Sequence, residues 1–99
     1  MRGLAVVLAM LVAGCAGGEG RVTGVVTAAQ GNLSGIESFV LRSTDGDQFA
    51  FEPEEGLAVF GDGATPLTHI FEHLQTGDPV RVTYRVEGNV NVALKVEDA

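Results

Sequence analysis

Two histidines stand four residues apart in His69-Ile70-Phe71-Glu72-His73, with a carboxylate between them. On a helix, residues i and i+4 share one face, so two imidazoles at this spacing can reach a single ion. Zinc takes imidazole nitrogens and carboxylate oxygens as ligands, and copper and nickel suit imidazole as well. A carboxylate beside such an ion can serve as a base toward a metal-bound water. A second set of oxygen donors, Asp45, Asp47, Glu52, Glu54, Glu55 and Asp62, crowds the middle of the chain. Calcium, however, needs several oxygens at fixed offsets, and no Asp-x-Asp-x-Asp-Gly loop occurs here. These acids are expected to form turns and a solvated edge, with Asp45, Asp47, Glu54, Glu55 and Asp62 on the loops that would meet a ligand.

The five residues from His69 to His73 resemble the inverted zinc-peptidase signature His-x-x-Glu-His. The resemblance implies a hydrolase with a third protein ligand on another helix and a substrate cleft. The surrounding chain argues against both. Only Thr65 to Gln75 has helical periodicity, and its apolar stripe is Leu67, Ile70, Phe71 and Leu74. With that stripe turned inward, His69 and His73 are expected on the opposite, solvated side. A polar helix face with no enzymatic role is the expectation, and metal handling through His69, His73 and Glu72 is the alternative. No Ser/His/Asp order and no phosphate-cradling loop can be assembled, so no catalytic residue and no cofactor is expected.

The only cysteine, Cys15, follows Val12-Ala13-Gly14 and an apolar run that begins after Arg2. A short positive region, an apolar stretch and small residues before a cut are the grammar of a secretory signal. The apolar residues 3–16 are too few to span a bilayer as a helix, which takes at least roughly 17. Val12-Ala13-Gly14-Cys15 is similar to the lipobox of bacterial lipoproteins. That resemblance implies cleavage between Gly14 and Cys15 and a diacylglyceryl group on the cysteine sulfur. Each buried methylene contributes about 0.8 kcal/mol, so two or three acyl chains hold a protein on a membrane. Residues 1–14 are therefore expected to be a signal peptide, and 15–20 a lipidated cysteine and flexible tether. The remainder would be displayed outside the cytoplasm, on the cell membrane or the outer membrane.

The full chain has 99 residues and a net charge of −7, with 13 acidic against six basic residues. All the acids lie at Glu19 or beyond, so the folded part carries the negative charge. Such a surface repels phosphate backbones and excludes the electrostatic footprint of a nucleic-acid binder. With no further cysteine, no internal disulfide or thiolate metal site is available. One small core, monomeric and held by packing alone, is what the length allows.

The elements that must position the candidate residues follow from periodicity. Arg21 to Ala28 is a β-branched run broken by Gly24, which marks a bend of the kind barrel strands need. Ala29 to Gly35 is polar and expected to be a loop. Glu37 to Ser43 and Gln48 to Glu52 alternate, with Phe39, Leu41, Phe49 and Phe51 inward. Asp45-Gly46 between them signals a hairpin. After a connection from Pro53 to Gly63 comes the helix of about three turns, with Thr65 as cap, Pro66 at its first position and Gly77 closing it. Pro79 to Val86, with Val80, Val82, Tyr84 and Val86 inward, and a last strand with Val90, Val92, Leu94 and Val96 inward complete the chain.

The order is βββ-α-ββ, mainly β with one helix, and resembles the OB-fold, a five-stranded barrel, here over residues 21–97. An α+β open antiparallel sheet with one helix is the alternative. The chain also resembles, loosely, uncharacterised secreted bacterial domains, through Gly24-Val25-Val26, Asp45-Gly46 and Gly77-Asp78-Pro79-Val80-Arg81-Val82. OB-folds that bind nucleic acid or sugar use exposed aromatics on strands two and three. The outward residues there, Ser38, Val40, Arg42, Gln48, Ala50 and Glu52, include none. The expected function is a non-enzymatic binding module on the envelope, with an unknown protein or small-molecule partner.

Overall fold

A computed structural model describes residues 18–99; residues 1–14, expected to be a signal peptide, with Gly14 at their end, and Cys15 lie outside the described residues. Strands β1 (Glu19–Asn32), β2 (Gly35–Ser43) and β3 (Gln48–Pro53) come first, followed by a two-residue ribbon, β4 (Val59–Phe60) and β5 (Thr65–Pro66). A 3₁₀ turn (Leu67–His69) runs into α1 (Ile70–Thr76), and β6 (Val80–Glu87) and β7 (Val90–Asp98) complete the chain. The five long strands close into a barrel in the order β1-β2-β3-β7-β6, with β6 returning to β1. The β3–β7 pairing is parallel and the others are antiparallel. This is a small OB-fold-like barrel, the main expectation from element order, and not the open sheet.

Closure depends on β1, which pairs with β6 through Gly24 and with β2 from Gly24 onward. Gly24 is the joint. A Cβ there would lie 2.1 Å from the carbonyl oxygen of Arg42, a backbone atom that cannot step aside. The strand is also longer than its β-branched run. Glu19 and Gly20 belong to it instead of to a tether, and the expected loop from Ala29 to Gly35 is mostly ladder, with only Leu33 and Ser34 in the turn. Gln30, Gly31 and Asn32 are poor strand formers, but pairing to Gly35, Ile36 and Ser38 across a short turn holds them extended, with irregularities after Val26 and Gln30.

The barrel interior is filled by Val26, Phe39, Leu41, Phe51, Val80, Val82, Ala93 and Val96, all buried. Alternation places most of these correctly. In β7 it fails, because Thr83 pairs with Lys95 whereas Tyr84 pairs with Ala93. Leu94 is the extra residue, and one extra residue flips the face of everything before it. Ala93 is therefore buried, while Val90, Val92 and Leu94, expected inward, are partly exposed. Val86 is likewise 47% exposed near the end of β6.

The helix also differs from expectation at its start. Thr65 and Pro66 pair with Phe60 and Val59 as strand, and the Pro66 backbone is extended at ψ 152°. The proline ring fixes φ but allows both extended and helical ψ, and the ribbon decides between them. Neither the 3₁₀ turn nor α1 has a side-chain cap at its N-terminus. The other end is as expected: Gly77 is left-handed at φ +76°, and its N–H donates to the carbonyl of His73 at 2.9 Å. No helix among the described residues is long and apolar enough to cross a membrane.

Candidate metal centre

A 3₁₀ turn has three residues per turn instead of 3.6, so the inward stripe begins in steps of three. Leu67, Ile70 and His73 are the buried residues of the helical segment, while Phe71 and Leu74 are rotated to its partly exposed flanks. The solvated histidine face expected from the sequence is thereby corrected. His73 is the buried polar residue of the barrel, 5% exposed, and the His69 side chain is 27% exposed.

A buried imidazole needs partners for both nitrogens, and His73 has them. Nδ1 lies 2.9 Å from the carbonyl oxygen of Asp78. A carbonyl only accepts, so Nδ1 carries the hydrogen and donates. Nε2 lies 2.9 Å from Oδ1 of Asp98, at the end of β7. In the neutral ring that nitrogen is a lone pair, and an ionised carboxylate offers only lone pairs as well. Two acceptors at this distance call for a cation, a proton or a metal ion, to join them.

His69 completes the group. Its Nδ1 lies 3.3 Å from Oε2 of Glu72, and a hydrogen on Nδ1 directed at that carboxylate would leave Nε2 as the lone-pair atom. One nitrogen from each imidazole and one carboxylate oxygen of Asp98 lie within 4.8 Å of one another. Phe60, buried, packs against both rings: its face stacks on His73 at a centroid distance of 5.2 Å, and its ring meets His69 edgewise at 4.8 Å. The two imidazoles are 4.9 Å apart and nearly perpendicular.

The donor set fits a borderline divalent ion. Zinc ligands sit about 2.0–2.2 Å from the metal, which sets tetrahedral ligand–ligand distances at roughly 3.3–3.5 Å. At 2.9 Å, His73 Nε2 and Asp98 Oδ1 stand closer than that range, so Asp98, whose side chain is 74% exposed, would draw back to admit an ion. Two neutral imidazoles and one carboxylate would leave a divalent ion with a single net positive charge.

Of the residues singled out by sequence, His69 and His73 come together here. Glu72 joins them as a partner of His69, outside the three-residue group. The acidic loop residues serve other contacts. Asp45 and Asp47 form the β2–β3 turn, closed by the Ser43 N–H donating to the Asp47 carbonyl at 2.8 Å, with Gly46 at φ +92°. Glu54 pairs with Arg85 at 3.1 Å and Asp62 with Lys95 at 3.0 Å, both on the outer face of β6 and β7. Glu55 lines a shallow acidic depression with Glu52, Glu54 and Glu87 around Arg85. The Arg85 guanidinium is held above its ordinary pKa, first by the Glu87 carboxylate, against some desolvation, and then by Glu54. Lys95 is raised first by its hydrogen bond to Asp62.

Asp98 and Phe60 were not singled out by the sequence. Counting back from the Glu87-Gly88-Asn89 turn would have placed Glu97 opposite Val80, and it is the extra residue at Leu94 that brings Asp98 there instead. Phe60 carried no comparable signal. No known protein family matches the chain, and no curated protein does.

Proposed function

We propose that this chain is a non-enzymatic, lipid-anchored envelope protein whose barrel binds one divalent transition-metal ion, of the zinc, copper and nickel class, through His69, His73 and Asp98. The observation that carries the metal reading is the buried His73, whose ring is locked by the Asp78 carbonyl with its free nitrogen against the Asp98 carboxylate. The anchor rests on Val12-Ala13-Gly14-Cys15. Binding rather than catalysis is favoured because the candidate base, Glu72, is engaged with His69 and its side chain is 71% exposed. The loop acids Glu54 and Asp62 are already paired with cations, which turns the reading away from a ligand held by those loops.

Equilibrium dialysis of the full chain in detergent tests the metal reading. One equivalent of zinc should be retained at micromolar free metal and lost in His69→Ala and Asp98→Asn, both at the exposed side of the site. Failure of the parent protein to retain zinc, copper or nickel would dispose of it. For the anchor, Cys15→Ser should leave the protein soluble or unprocessed. Correctly cleaved, membrane-bound mutant protein would contradict the lipid reading alone.

A further inference from the structure

The same residues carry one inference about how the ion is completed, and it rests on the metal-binding reading above. We infer that the site supplies three protein donors only and leaves a solvent-facing fourth position to an exogenous monodentate ligand, an anion or an imidazole-type donor. Structural zinc sites are closed by four protein ligands, whereas a site with three keeps an open position. Among the described residues, His69, His73 and Asp98 form the whole group of His, Cys, Asp and Glu donors at this place.

The inner side of the group is shut by carbon. Phe60 is 6% exposed and lies against both imidazoles, offering no donor atom. The outer side is open, because Asp98 and His69 both reach solvent. Glu72 is the nearest further carboxylate on the helix, yet it sits at Nδ1 of His69, and the two imidazole nitrogens point away from each other. It is a positioning residue: it fixes which nitrogen of His69 is free, as carboxylates behind metal-bound histidines do. Asp78 contributes its carbonyl in the same sense to His73. The His73 ring is thus held from behind and presents Nε2 to Asp98.

Water would complete the open position, and a donor displacing it would form one bond to the metal as one metal–water bond breaks, with no change of oxidation state.

Cobalt(II) in place of zinc reports the coordination sphere through its visible absorption. The full chain loaded with one equivalent of cobalt should show a saturable spectral change on titration with azide, with the cobalt still bound after desalting. Glu72→Gln should keep that response and bind cobalt about 10–100-fold more weakly. A cobalt spectrum that azide leaves unchanged means a closed site and overturns this inference while leaving metal binding intact. An azide response that appears only in Glu72→Gln makes Glu72 the fourth ligand and overturns it too. If the parent chain takes up no cobalt, zinc, copper or nickel, the metal-binding reading fails, and this inference falls with it.

Discussion

Two aromatic clusters of similar geometry stand in different parts of this barrel. In the wall, Phe39, Phe49 and Tyr84 surround Phe51, with ring centroids 5.3–6.1 Å from it, either tilted, stacked or edge-on. Beside the helix, Phe60, His69 and His73 pack in the same manner at 4.8–5.2 Å. Phe51 and His73 are almost equally buried, at 1% and 5%. The difference is in what burial demands. A phenyl ring is satisfied by contact, whereas each imidazole nitrogen must find a partner or cost the desolvation of an unmet group. The wall cluster therefore serves stability, and the helix cluster recruits a backbone carbonyl and a carboxylate from separate elements. That recruitment is what assembles a site.

Substitutions should separate the two clusters. The largest effect is expected from Phe51→Ala, which should lower unfolding free energy by about 3–5 kcal/mol in a urea titration. Zinc uptake by the fraction still folded should be unchanged, and a parallel loss of affinity would break the distinction between the clusters. Next in size, zinc at 100 times its dissociation constant should stabilise the parent protein by about 2.7 kcal/mol. Asp98→Asn should gain nothing measurable from the same addition. His73→Leu, which roughly keeps the volume but leaves the Asp78 carbonyl without its donor, should cost about 1–3 kcal/mol and abolish zinc retention. A larger stability loss than for Phe51→Ala would mean that the histidine is chiefly structural.

The smallest effect belongs to the outer face, which carries neither cluster. Lys95 has a raised pKa in the folded state. Its contribution is therefore full below the ordinary value of 10.5 and lost as pH climbs through the folded value. Being solvent-screened, it should produce only a slight fall in melting temperature above that pH, and Lys95→Met should remove the dependence. A steep alkaline transition surviving in Lys95→Met would assign it elsewhere.

Much of the frame was legible in the residues. Asp45-Gly46 between two alternating runs specifies the β2–β3 hairpin, and Gly24 marks where β1 changes partners. Gly77 ends the helix because a left-handed residue is needed there. The site was legible only in part. His69 and His73 stood out by spacing, but their exposure was misjudged because helical periodicity assumes 3.6 residues per turn and Leu67–His69 is wound more tightly. The inward residues of β7 were misjudged for a related reason, since alternation takes no account of the extra residue at Leu94.

By itself, the sequence determined the βββ-α-ββ order and the barrel's main inward residues, because period, turn residues and glycine placement act over a few neighbours along the chain. Only the tertiary structure decided that His73 is buried and that Asp98 meets it. Those two residues are 25 positions apart, and their meeting depends on how β7 registers against β6 and how the 3₁₀ turn aims the helix. Both are settled by the closing of the barrel, where contacts between distant segments outweigh local preference.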